Sequence, residues 1–339
     1  MAGVPRGCAR ARAVTSSRVH TETAFIILFI VATGVALLGR RLGIPYTVAL
    51  VLTGLGLGTV HAFEPPHLTH ELLFGVVLPA LLFEAAFHID VRDFWRDRAA
   101  VLGLAVPGVA VATALTTVLL VSVADTLHEL EPFSWRHALV FSATIAATDP
   151  IAVVGLFRNL QAPRRLALLL EGESLLNDGT SIVFFTLVLG LVTGAAVTVG
   201  GLAAAFVKVV GGGVLVGLAV GFAVSLVIQR VDDPMIEITL TTIAAYGAFV
   251  AAEQLGFSGV IGTVTAGMLC GNYGARTGMS PSTRIAAQTF WEYAAFALNS
   301  IVFLLIGLEV HVRDLLASWG AILLAYGAVT LGRALVIFG

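Results

Sequence analysis

The chain has 339 residues, of which 58% are hydrophobic and only 12% charged, with a formal net charge of −2. A soluble domain carries about 25% charged residues, so this composition excludes an ordinary globular core and points to a polytopic membrane protein. Lys208 is the single lysine, no G-x-x-x-x-G-K is present, and Cys8 and Cys270 stand far apart. A nucleotide-binding P-loop, a disulfide framework and a cysteine-based metal site are thereby excluded, and nothing in the charge balance suggests nucleic acid.

A bilayer-spanning helix needs about 20 mostly apolar residues. Eleven such segments are predicted, at 22–39, 44–62, 68–87, 99–123, 136–157, 164–193, 200–229, 235–253, 257–271, 288–309 and 316–338. The fold class is therefore all-α. Segment 7 is longer than a bilayer core requires and is expected to tilt. Residues 1–21 are Arg-rich and acid-poor, and are read as a disordered tail or targeting segment with no role in the fold. Placing the start of segment 1 outside puts Arg40, Arg41, Arg92, Arg96, Arg98, Arg158, Arg164, Arg165, Arg230, Arg276 and Arg284 in inside loops, against Arg136 and Arg313 outside. That bias predicts an extracytoplasmic N-terminus.

An internal repeat is visible. LGIPYTVALVLTGLGLG (42–58) and LGFSGVIGTVTAGMLCG (255–271) share Leu, Gly, Val, Gly and Gly at one offset of 213, and LLFEAAFHIDVRDF (81–94) is echoed by LLIGLEVHVRDL (304–315). The matches pair segments 2 and 3 with 9 and 10. Seven helices separate the partners, an odd number, so the copies have opposite membrane orientation, as in secondary transporters. The predicted organisation is a first repeat at 22–199 (its segments 5 and 6 at 136–193), a linker helix at 200–230 and a second repeat at 231–339. By this count the second copy lacks counterparts of segments 5 and 6, so two further helices are expected after the last segment.

Two polar features interrupt the apolar segments. In LLLEGESLLNDGTSIVFF (168–185), Glu171, Glu173, Ser174, Asn177 and Asp178 spread over about half of a helix circumference, stacked over two turns. Such a face cannot meet lipid, where a central carboxylate costs about 2.5–3.5 kcal/mol even on the lenient insertion scale. In SATIAATDPIAVVG (142–155), Pro150 has no amide hydrogen and turns Asp149 away from helical angles, so the helix is expected to unwind around Thr148, Asp149 and Pro150. Freed carbonyls beside a carboxylate suit a small hard cation such as Na⁺, and irregular backbone at this depth belongs where it lines a cavity. Intramembrane acids mark ion or proton paths, which singles out Asp149 and Asp178 with Thr148 and Ser174. Glu173 is expected to pair with Arg333 as a structural ion pair. Glu84 near the inner end of segment 3 fits either solvation at a helix end or the lining of a cavity. The histidines, His88 among them, are read as ordinary interfacial residues.

ATDPIAV (147–153) followed by EGESLLNDG (171–179), with FE at 83–84, FWE at 290–292, NSIVFLLIG at 299–307 and GRAL at 332–335, resembles the monovalent cation:proton antiporter-1 family, the sodium/proton exchangers. The resemblance implies thirteen helices, an inverted repeat of six plus six joined by one, in a homodimer embedded in membrane lipid. It implies that Asp178 binds cation and proton, with Asn177 beside it in the Asn-Asp pair of electroneutral members. Asp149 would be the acid of the unwound helix, with Thr148, Ser174 and Glu84 around the Na⁺, and Glu173 with Arg333 the stabilising pair. The expected activity is exchange of Na⁺ or Li⁺ for H⁺ across the plasma membrane, by alternating access with competition at one buried Asp. That makes the chain a transporter rather than an enzyme, without catalytic residues, cofactor, nucleotide or nucleic acid. A K⁺/H⁺ exchanger, a cation channel and a non-transporting fragment stay open as alternatives.

Overall fold

The computed structural model describes residues 7–60, 68–127, 134–147, 153, 163–194 and 198–338. Among the described residues no strand occurs, and the main helices in chain order are α1 (Gly7–Leu42), α2 (Tyr46–Thr59), α3 (His70–His88), α4 (Val91–Leu127), α5 (Trp135–Thr144), α6 (Arg164–Val192), α7 (Val199–Ile228), α8 (Pro234–Gln254), α9 (Gly259–Leu269), α10 (Pro281–Glu309), the short α11 (Val312–Ala317) and α12 (Trp319–Phe338). Seven of them, α3, α4, α6, α7, α8, α10 and α12, are long and apolar enough to cross a bilayer. Each of the eleven apolar segments holds a helix. The helix α1 begins at Gly7, inside the stretch set apart above as a tail. The helix α4 starts at Val91 rather than 99, because Arg92, Asp93, Arg96 and Asp97 form an amphipathic first stretch that hydropathy alone passes over.

The helix ends follow local chemistry. Thr69, Asp90, Thr198, Asp233 and Ser258 each accept a hydrogen bond from a first-turn amide, satisfying donors that a helix start leaves unpaired. Gly43, Gly194 and Gly256 stand just past the ends of α1, α6 and α8 with φ of 68°, 103° and 73°, the left-handed geometry that glycine adopts at no steric cost. Three π-turns, Leu73–Val77, Leu104–Gly108 and Cys270–Gly274, interrupt or extend α3, α4 and α9.

The chain divides into two compact units, residues 1–73 with 295–318 and residues 74–294 with 319–339. In the first, Leu28, Ala32 and Val35 of α1 pack with Leu50 of α2 and Leu304, Leu305 and Leu308 of α10. Tyr46 stacks on Phe296 with ring centroids 5.2 Å apart and shares a hydrogen bond with Ser300. The helices α2 and α10 touch through glycines. A Cβ on Gly54 would collide with the Leu304 carbonyl, and one on Gly58 would come within 2.8 Å of the Leu308 carbonyl.

In the second unit α9 is the central post. Leu82 and Ala86 of α3, Ile89 just past its end, Leu175 of α6 and Phe249 of α8 surround its Val260 and Val264. Gly213, Gly217 and Gly221 of α7 lie against Ser258, Gly262 and Ala266 of the same helix. Small residues at every fourth position allow this backbone approach, which in a bilayer replaces the missing hydrophobic drive between helices. Against α3 the contact is again glycine on carbonyl: Gly267 on Phe83 and Gly271 on Phe87. These positions lie at offset 213 from Gly54 and Gly58, while Phe83 and Phe87 stand from Leu304 and Leu308 at the offset of the two VRD copies. The two copies of the sequence repeat thus make one and the same helix contact.

At the junction of α3 and α4, the Asn272 amide donates to the Ile89 carbonyl (2.8 Å) and accepts from the Val91 amide (3.0 Å), while Arg276 grips Asp90 at 2.7 Å. The Arg276 guanidinium, aided by the Arg92 amide, holds the Asp90 carboxyl below the usual carboxylate range.

Two predictions follow from these contacts. In detergent, Gly54→Ala lowers stability by about 1–3 kcal/mol, the cost of overpacking. Gly56→Ala, whose Cβ meets nothing within 4 Å, stays within about 0.5 kcal/mol of the parent. Equal melting of the two variants contradicts the glycine contact. For Asp90, a lowered folded value means that its contribution is complete above the free-aspartate value of about 3.9 and fades as pH falls through the lower value in the fold. Asp90→Asn therefore narrows the gap to the parent only in strong acid, as read by thermal melts across the acid range.

Candidate functional site

The helix α6 runs unbroken for 29 residues through the polar stretch. The burial of its faces matches the angular argument: Ser174 and Asn177 are buried, at 4% and 1% exposure, and Glu173 and Asp178 are half-buried. Gly179, next to Asp178, lies against α9. A Cβ there would lie 2.6 Å from Ile261 and 3.2 Å from Val260.

The helix α5 stops at Thr144. Ile145 and Ala146 form a turn and Ala147 is irregular, so the helical ladder has ended before the Thr148-Asp149-Pro150 sequence is reached. Thr148, Asp149 and Pro150 lie outside the described residues, and so does their expected unwinding. The last described carbonyl but one, that of Ala146, is the meeting point of the site. Asn177 Nδ2 of α6 donates to it at 3.3 Å, and the Arg333 guanidinium of α12 donates to it as well. The same Asn177 Nδ2 lies 3.3 Å from Glu173 Oε1, and Ser181 Oγ donates to Asn177 Oδ1 at 2.8 Å. The serine thereby fixes which way the amide faces, oxygen toward Ser181 and nitrogen toward Ala146 and Glu173.

Glu173 and Arg333 attract one another electrostatically. They are joined through Asn177 and the Ala146 carbonyl rather than by a direct carboxylate–guanidinium hydrogen bond among the described residues. Glu84 of α3 is partly buried, with its Oε1 3.3 Å from His88 Nδ1, whose other ring nitrogen lies 3.6 Å from Glu292 of α10. His88, read from the sequence as an ordinary interfacial residue, thus stands between two carboxylates.

The sequence reading passed over three further groups. Asp97 of α4 is buried and accepts hydrogen bonds from Nη2 and Nε of Arg165 at the start of α6, at 2.6 and 3.1 Å, with Arg96 at 3.6 Å. Thr180 of α6 donates to the Ala105 carbonyl of α4 at 2.6 Å. Ser181 orients Asn177. A signal existed for the last two: Thr180 and Ser181 fall three and four residues after Asn177, one turn along the same face. Arg165 had been counted only as a loop charge.

Carboxylate, hydroxyl and backbone carbonyl oxygens, the polar groups found on this face of α6 and at the end of α5, are the ligand types that suit a hard cation. No group of three or more His, Cys, Asp or Glu suited to a tightly held metal occurs among the described residues.

The chain is 41% identical over 320 residues to the Na(+)/H(+) antiporter ApNhaP of Aphanothece halophytica, covering 93% of this chain and 60% of the relative. It is 39% identical over 324 residues to the low-affinity Na(+)/H(+) antiporter NhaS1 of Synechocystis, covering 93% and 59%. The chain thus spans about three-fifths of the length of these curated relatives. The solved structure of the sodium proton antiporter MjNhaP1 from Methanocaldococcus jannaschii superposes with a TM-score of 0.78 at 19% identity, covering 94% of this chain and 77% of that one, which establishes a shared fold. Residues 25–339 match the family described as sodium/hydrogen exchanger, transmembrane. The chain belongs to the sodium/hydrogen exchanger family.

Proposed function

We propose that the protein containing this chain exchanges Na⁺ or Li⁺ for H⁺ across the plasma membrane. One site, centred on Asp178, takes either a cation or a proton, and the protein changes its facing only when the site is filled. Exclusion of one ligand by the other then enforces exchange without a further coupling device and without a cofactor. In this reading Asp149, Thr148, Ser174, Asn177 and Glu84 complete the cation site. Pro150 keeps the backbone of the unwound segment open, and Glu173 with Arg333 is a structural pair. The N-terminus is extracytoplasmic, the two repeats are inverted about the linker helix α7, and two copies form a homodimer in the lipid. The Asn-Asp pair makes the exchange electroneutral.

The observation that carries this reading is the Asn177–Ala146 bond. It ties the neighbour of Asp178 to the backbone at the point where α5 stops being a helix, two residues before Thr148. A buried carboxylate beside carbonyls released from a helical ladder is an oxygen-rich cradle in a medium that tolerates neither group alone. The relatives named as Na(+)/H(+) antiporters support the choice of ions.

In proteoliposomes bearing a pH gradient, Asp178→Asn abolishes Na⁺-driven proton flux while the protein elutes and melts as a folded species; retained exchange refutes the assignment. Glu173→Ala removes the carboxylate that attracts the partly buried Arg333 guanidinium, and lowers stability by about 3–5 kcal/mol, the cost of breaking such a pair from one side. If that variant melts like the parent yet does not transport, Glu173 belongs to the transport site and the structural role is wrong.

A further inference from the structure

The helix α4 carries a defect beside the polar face of α6. Residues Leu104–Gly108 form a π-turn with Pro107 inside it. Pro107 has no amide hydrogen, so a rung of the helical ladder is missing. The Val109 amide bonds the Val106 carbonyl instead of the Ala105 carbonyl four residues back. Inside this bulge the Ala105 carbonyl accepts a hydrogen bond from the Thr180 hydroxyl of α6 at 2.6 Å. Both partners are sealed off, Ala105 at 0% and Thr180 at 4% exposure. Thr180 is two residues beyond Asp178, and its hydroxyl also lies 3.2 Å from the carbonyl of Asn177.

Two other contacts bind the same pair of helices farther along. Asp97 and Arg165 join their beginnings, and Gly172 lets α6 approach Val101 and Phe94 of α4. These two set the distance between the helices. The Thr180 bond differs, since it lies next to the exchange carboxyl, and so fixes the rotation of the Asn177–Asp178 turn about the α6 axis. Bulges of this type inside helices gather at functional positions.

We propose that Thr180 is a positioning residue for cation exchange, locking the Asn177–Asp178 turn of α6 to the Ala105 carbonyl inside the α4 bulge. This rests on Asp178 being the exchange carboxyl. The hydroxyl touches no transported ion. It acts by holding the aspartate at the angle from which the cation is bound.

The test uses the full chain with Thr180→Val, which keeps the volume and removes the hydroxyl, and Thr180→Ser, which keeps the hydroxyl. Two quantities are read: the half-saturating Na⁺ and maximal rate of exchange in proteoliposomes, and the amide hydrogen exchange of residues 175–183. The valine variant raises half-saturating Na⁺ by about fivefold, the factor that one lost hydrogen bond represents. Its maximal rate stays within about twofold of the parent, and its amides exchange faster. The serine variant matches the parent in both readouts. Parent-like half-saturation in the valine variant overturns the proposal, and so does an equal loss in both variants. If the parent itself does not exchange, the function proposed above falls, and the amide readout decides the locking alone. Faster exchange with valine but not serine supports it, and equal exchange in all three overturns it.

Discussion

The structure depends on how one backbone oxygen is satisfied. Within a bilayer a carbonyl released from a helix has no water to turn to, so the chain must supply a donor. The helix α5 ends at Thr144, inside its apolar segment, and Ala146 is the first buried carbonyl beyond the break. Two donors answer it, Asn177 from α6 and Arg333 from α12. That single oxygen therefore ties three helices together and brings the guanidinium close enough to balance Glu173. Asn177 is in turn oriented by Ser181, so the polar residues of α6 form a connected set rather than a scatter of charges. Such a set is stable only when every member is paired.

Within each unit the fold is built by close backbone contact. Glycine carries α7 onto α9, α9 onto α3 and α2 onto α10. Leucine on leucine would give no advantage over leucine on lipid, so fit and small size decide which helices meet. The contact of α2 with α10 and that of α3 with α9 use the same two glycines and the same two carbonyl positions of the repeat. A gene duplication that preserved its packing rule would leave this pattern.

Much of this was legible in the sequence, for physical reasons. Hydropathy gave the helices because the bilayer imposes a length and a solvent on each of them. The angular spread of Glu173, Ser174, Asn177 and Asp178 foretold a buried polar face, since lipid excludes the alternative. The offset of 213 marked Gly54 with Gly267 and Gly58 with Gly271 before their contacts were known. What escaped depends on tertiary partners. Asp97 looked like one charge in an amphipathic helix start, and only folding places Arg165 against it. The carbonyls of Ala105 and Ala146 have no sequence signature, because every residue has one. Pro107 lacks an amide hydrogen, yet nothing in its own segment indicates that Thr180 donates to the nearby Ala105 carbonyl. The end of α5 at Thr144 carries no proline or glycine to announce it, and the expected unwinding at Thr148, Asp149 and Pro150 lies outside the described residues.

The central claim is that a cation and a proton exclude one another at the Asp178 carboxyl. Its most direct test is equilibrium binding of radioactive Na⁺ to the purified chain across a pH series, in parallel with Asp178→Asn. The account predicts that half-saturating Na⁺ rises as pH falls, by up to about tenfold per pH unit where one proton is displaced per cation, and that the asparagine variant binds no Na⁺. Na⁺ binding that is independent of pH, or that survives in the asparagine variant, would contradict it.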